Sequence, residues 1–100
     1  MVKEIYFYEI QKLAMELVKL SIVHEYSYKM HKDRLFTDNQ IRVEYPNEQG
    51  FLSIICHEGS YGGGRGLLEF YDWQNEPTGY LDADDCLKII KKYLKKVEHE

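Results

Sequence analysis

The sequence predicts an α+β domain, with a small antiparallel sheet of three or four strands between an N-terminal and a C-terminal helix and both helices packed on one face. Three observations predict it. Apolar residues near each end recur at the three- and four-residue spacing of a helix. In the middle they alternate with polar residues, as in half-buried strands. Turn-forming residues join consecutive strand-like runs, so the strands pair as hairpins and the helices cover one face.

The first element reads as a helix from Val2 to about Ile22. Ile10, Leu13, Leu17 and Leu20 mark its apolar stripe, with Ala14 and Ser21 beside them. Glu9, Gln11, Lys12, Glu16 and Lys19 fill the other face. Its start is ambiguous, because Ile5-Tyr6-Phe7-Tyr8 has the composition of a strand. From Ile22 to Met30 the period changes to two, which suits either a first strand or an extension of the helix. The polar runs HKDR and TDNQ around Leu35 and Phe36 read as a connection.

Ile41, Val43 and Tyr45 then alternate with Arg42 and Glu44, as in a strand. Pro46 to Gly50 form a turn, and FLSIICHE supplies the partner strand of a hairpin. A glycine-rich loop, GSYGGGRG, leads to a further strand, LLEFYDW. QNEPTG turns the chain, and Gly79-Tyr80-Leu81 leads into the last helix. Asp82 is its N-cap, and Asp84 and Asp85 place acid in its first turn. Leu87, Ile90, Leu94 and Val97 form its apolar stripe, widened by Cys86, Ile89 and Tyr93. Lys88, Lys91, Lys92, Lys95 and Lys96 cover the remaining surface.

Bulk composition narrows the class. One hundred residues, 44% apolar and 30% charged, make one domain spanning residues 1–100. A chain of this size hides roughly 60–70% of its unfolded surface on folding, enough for one modest core. Disorder, collagen-like repeats and a membrane span are excluded. The uncharged run Phe51 to Cys56 is far too short to cross a bilayer. The first ten residues carry two glutamates and no cleavage signature of a secretory leader, so the expected compartment is the cytoplasm. A net charge of −4 disfavours non-specific binding to nucleic acid or anionic lipid. Cys56 and Cys86 read as buried reduced thiols.

The chemistry-bearing motifs are few. Gly59 and Gly64 have the spacing of a phosphate loop, but Arg65 and Gly66 replace its lysine and hydroxyl residue, and a strand follows instead of a helix. The loop has two remaining readings. It is a mobile connection whose glycines nothing contacts, or bare backbone approaches a partner while Tyr61 and Arg65 supply stacking and charge. Cys56 and His57 are neighbours on a strand and point to opposite faces, which defeats both joint metal chelation and thiol activation. No catalytic, cofactor-binding or metal-ligating set emerges.

The strand alternation also predicts the two sheet faces. Ile41, Val43, Leu52, Ile54, Cys56, Leu68 and Phe70 belong under the helices. Phe51, Ile55, His57, Leu67, Tyr71 and Trp73 fall on the opposite face with Arg42, Glu44 and Glu69. That face is too aromatic for a purely solvated surface, and exposed aromatic patches mark interfaces. Nine tyrosines in the chain add to this reading.

The stretch LLEFYDWQNEPTGYLDADDCLKIIKKYL resembles small proteins carried by phages and prophages of low-GC Gram-positive bacteria. The resemblance rests on Asn75-Glu76-Pro77, Gly79-Tyr80-Leu81 and the Asp82 cap, about a third of the chain. It implies an accessory protein that acts by stoichiometric binding, since such proteins include inhibitors of host defence, CRISPR inhibitors among them. It carries over no functional residue, and a DNA mimic would be more acidic than this chain.

The leading expectation is therefore a non-catalytic protein-binding module with Tyr61, Arg65, Tyr71 and Trp73 as contact anchors, its partner another protein or a second copy. One alternative is nucleic-acid binding by the aromatic sheet face, with Lys88, Lys92, Lys95 and Arg65 as phosphate contacts. The other is a small enzyme or small-molecule binder around His57.

Overall fold

A computed structural model describes residues 5–31, 36–44, 51–73 and 75–98. Helix α1 (Ile5–Lys19) is followed by strands β1 (Glu25–His31), β2 (Phe36–Glu44) and β3 (Phe51–Ile55). A 3-10 turn at Gly63–Arg65 precedes β4 (Leu68–Tyr71), β5 (Thr78–Leu81) and the closing helix α2 (Ala83–Glu98). The α+β class and the terminal helices are as expected. The sheet has five strands rather than three or four, in the meander order β1-β2-β3-β4-β5, with every neighbouring pair antiparallel.

Of the two alternatives for Ile22–Met30 the strand is observed, as β1; β5 is the strand not expected, and β2 starts earlier than its alternating run. TDNQ lies within β2 and not in a connection. Asn39, a poor strand former, is held there by its side chain: Nδ2 donates to the Tyr6 carbonyl (2.7 Å) and to the Cys56 carbonyl (3.3 Å). Tertiary contacts thus override local propensity. Thr78 to Leu81 pairs with β4 as a short edge strand, with a register shift between Leu68 and Phe70. The Pro46–Gly50 turn lies outside the described residues.

Among the described residues helix α1 runs from Ile5, so the strand-like IYFY is helical and buries Tyr6, while the expected start at Val2 lies outside them. It ends at Lys19, three residues short of Ile22. Ser21 takes a left-handed φ of 56°, the Ser21 N–H donates to the Val18 carbonyl and the Ile22 N–H to the Leu17 carbonyl. This paired closure is a Schellman motif. Leu20 therefore leaves the stripe and is exposed, while Ile22 leads towards β1.

One core lies between the sheet and the helices. Tyr6, Ile10, Leu13 and Leu17 of α1 meet Ala83, Cys86 and Ile90 of α2 and the strand residues Ile41, Val43, Leu52, Ile54, Leu68 and Phe70, with Cys56. Every strand residue predicted for the covered face is buried there. The start of α2 is tied to α1, because the Ala83 N–H donates to Glu9 Oε1 (3.2 Å). Asp82 caps α2 as expected: the Asp85 N–H donates to Asp82 Oδ1 (2.8 Å) and the Asp82 N–H returns to Asp85 Oδ2 (3.2 Å). Among the described residues no helix is long and apolar enough to cross a membrane.

Candidate functional site

Both helices occupy one face of the sheet, which leaves the other face to its own side chains. Strand register places Glu25, Arg42, Ser53 and Tyr71 in one transverse row on that open face. Glu44 and Phe51 begin the next row. The Arg42 guanidinium lies 3.7 Å from the centre of the Phe51 ring, a cation–π contact. Trp73 meets Phe51 edge to face (5.1 Å between ring centres, 73°) and Tyr71 likewise (4.7 Å, 61°). Beneath them, Gln40 Nε2 donates to Ser53 Oγ (2.8 Å), which satisfies a buried hydroxyl.

Trp73 is the outermost ring, 53% exposed, and its φ is +70°. A bulky side chain in the left-handed region stores strain, and such strain concentrates at binding sites. The turn after β4 holds it there. Asp72, nearly buried, accepts the Asn75 N–H at Oδ1 (2.9 Å) and Asn75 Nδ2 at Oδ2 (3.0 Å), and the Tyr93 hydroxyl of α2 donates to the same carboxylate. The ring that faces outward is thus set by an aspartate anchored to a helix on the other side.

The glycine-rich loop is not a slack connection. A Cβ on Gly63 would collide with the His57 carbonyl oxygen, and one on Gly62 would come within 2.8 Å of the Tyr80 nitrogen. Both glycines are needed because other backbone comes close. Gly64 alone has open space around it. The Tyr80 N–H donates to the Tyr61 carbonyl (3.2 Å), so the loop lies along the outer edge of β5. The Tyr61 N–H donates to Glu69 Oε1 (2.9 Å), while its ring stands 58% exposed.

The four predicted anchors therefore separate. Tyr71 and Trp73 belong to the stacked cluster. Tyr61 stands beside β5 on the loop, linked to the open face through Glu69. Arg65 lies on the 3-10 turn, next to Gly66, which packs against Ile5 at the start of α1. Among the described residues nothing joins Arg65 to the rings. Arg42 and Phe51 complete the cluster. Alternation had put them on this face, but nothing in sequence spacing shows that they stack on each other.

His57 serves the loop. Its Nδ1 accepts the Gly59 N–H (3.0 Å), its own N–H donates to Ser60 Oγ (2.9 Å), and that hydroxyl donates back to the His57 carbonyl (2.9 Å). Cys56 is fully buried, and desolvation, with smaller contributions from Glu58 and Glu9, pushes its thiol up to about 11. The same cause, with Asp85, Asp82 and Glu9, pushes Cys86 up to about 12. Both are neutral thiols without nucleophilic activation. Among the described residues no group of three or more His, Cys, Asp or Glu could hold a metal ion.

Lys88, Lys91, Lys92 and Lys95 are exposed on α2, whose inner side packs under the covered face. The sheet and its core stand between these lysines and the aromatic cluster. They do not form one surface with it. No protein-family model, no curated protein and no solved structure matches this chain.

Proposed function

We propose that this chain is a small non-catalytic protein-binding module of the cytoplasm, acting by stoichiometric contact through the open sheet face. The observation that carries the reading is the stack of Phe51, Tyr71 and Trp73 with Arg42 on a face that no described helix covers. Aromatic rings and arginine are the side chains that dominate binding energy at protein interfaces, because they bury large rigid areas with few lost rotamers. Trp73, strained and half exposed, is the central anchor, and Tyr71 supports it. Tyr61 extends the patch towards β5. Arg65 is a separate contact on the 3-10 turn. The resemblance of the last third of the chain to phage accessory proteins gives a biological setting in which such a module would inhibit a bacterial protein.

Affinity capture from a lysate of a low-GC Gram-positive bacterium tests this, with wild type beside Tyr71→Ala/Trp73→Ala and Tyr61→Ala/Arg65→Ala. The reading predicts a saturable partner lost with the first variant while the melting temperature stays within a few degrees. A partner lost only with the second variant moves the site to the loop. A partner indifferent to both removes it.

Nucleic-acid binding remains the second reading because exposed rings stack on bases. The same face carries Glu25, Glu44 and Glu69 around a single arginine, and the lysines of α2 lie on the far side. A gel shift at low salt that shows no complex at micromolar protein discards it.

A further inference from the structure

We infer that two copies of this chain pair through the outer edge of β1, with the adjoining flank of α1, to make a continuous ten-stranded sheet. This goes beyond the open-face reading and does not rest on it. The two edges of the sheet are treated differently. The β5 edge is short, irregular and covered by the loop, whose Tyr61 carbonyl accepts the Tyr80 N–H. The β1 edge is seven residues long and in unbroken register with β2, and it has no proline, glycine or bulge. Among the described residues no strand pairs with its outer side. A long regular edge left open is a template for another strand.

Exposed apolar residues gather along the same border. Tyr28 of β1 and Val23 just before it are exposed, as are Val18 and Met15 of α1. Phe7 meets Tyr28 edge to face (5.8 Å), which fixes the α1 flank that faces β1. Phe7, Gln11, Ala14 and Val18 share that flank at helical spacing, and Met15 borders it. Val18 and Met15 are 67% and 62% exposed. The opposite flank is spent on α2, through Glu9 and Lys12.

The occupant is a second copy because the strand is self-complementary. Antiparallel pairing about a two-fold axis at Ser27 puts Glu25 of each copy opposite position 29 of the other, a lysine, and Tyr26 opposite Tyr28. Each opposite-charge pair and each aromatic pair then occurs twice. The axis is perpendicular to the sheet, so covered faces stay together and the two α1 flanks approach each other. The two open faces become one surface with two Trp73 clusters.

Light scattering on a size-exclusion column over a dilution series tests this, with Glu25→Lys, Lys29→Glu, the double variant E25K/K29E, and Val18→Lys. A mass twice 11.9 kDa is expected for wild type. Each single charge change sets like charges opposite each other twice and should raise the dimer dissociation constant by about tenfold. The double variant should restore it. Val18→Lys, at an exposed position that leaves the fold intact, should weaken it as well. A monomer at every concentration overturns the proposal. So does a dimer that neither Glu25→Lys nor Val18→Lys weakens, because its interface then lies elsewhere. Single charge changes that weaken the dimer without rescue by the double variant overturn the register about Ser27.

Discussion

Trp73 combines an exposed indole with a left-handed backbone, and the two features can be separated by substitution. Trp73→Ala and Trp73→Gly both delete the ring and its contacts with Phe51 and Tyr71. Only glycine also relieves the φ of +70°. Trp73→Gly should therefore be about 1 kcal/mol more stable than Trp73→Ala, read from denaturant midpoints. The loop gives a second contrast. Gly63→Ala forces a methyl into the His57 carbonyl and should lower the melting temperature sharply. Gly64→Ala meets nothing and should stabilise by about 0.5 kcal/mol, because alanine restricts the unfolded chain. Thermal melts of the two variants check the pair. At this scale the sequence showed less than it held. Alternation placed Tyr71, Trp73, Phe51 and Arg42 on one face, since that needs only a period of two. It did not reveal the left-handed φ of Trp73 or that the glycines are required by close neighbours, because both depend on which backbone segments meet.

The elements were legible in proportion to how much of their stability is local. Helix α2 has its cap, its first-turn acids and its stripe in consecutive residues, and it forms where expected. Strand β2 does not advertise its first half, because Asn39 earns its place by bonds to Tyr6 and Cys56, thirty-three and seventeen residues away. Asn39→Ala removes donors from two buried carbonyls and should cost about 2 kcal/mol. Hydrogen exchange should then show faster opening of the start of α1 together with the β2–β3 pair, and unchanged protection there would contradict the linkage. The end of α1 departs from the sequence pattern for a similar reason: the apolar spacing continues through Leu20, while the Schellman turn at Ser21 stops the helix.

At the scale of the molecule, four weakly acidic side chains among the described residues, two thiols and two phenols, resist ionisation in the fold. Cys56 and Cys86 move from 9.0 to about 11 and about 12, and burial also raises Tyr6 and Tyr26 from 10.0. The unfolded chain ionises these groups first as pH rises. Their contribution to stability is complete below pH about 9 and is lost progressively as pH climbs towards 11 and 12. Denaturant midpoints measured across that range should fall, and the Cys56→Ser/Cys86→Ala variant should fall less steeply. A midpoint independent of pH would mean that the thiols are less buried than described.

In the proposed function a partner occupies the open sheet face. Trp73 is the only tryptophan in the chain, so 5-fluorotryptophan labels that face at one atom. The measurement is its fluorine resonance as the captured partner is added. The account predicts a shift or broadening that saturates at a stoichiometric ratio. A partner that binds fully while the resonance stays where it was would place the binding surface elsewhere.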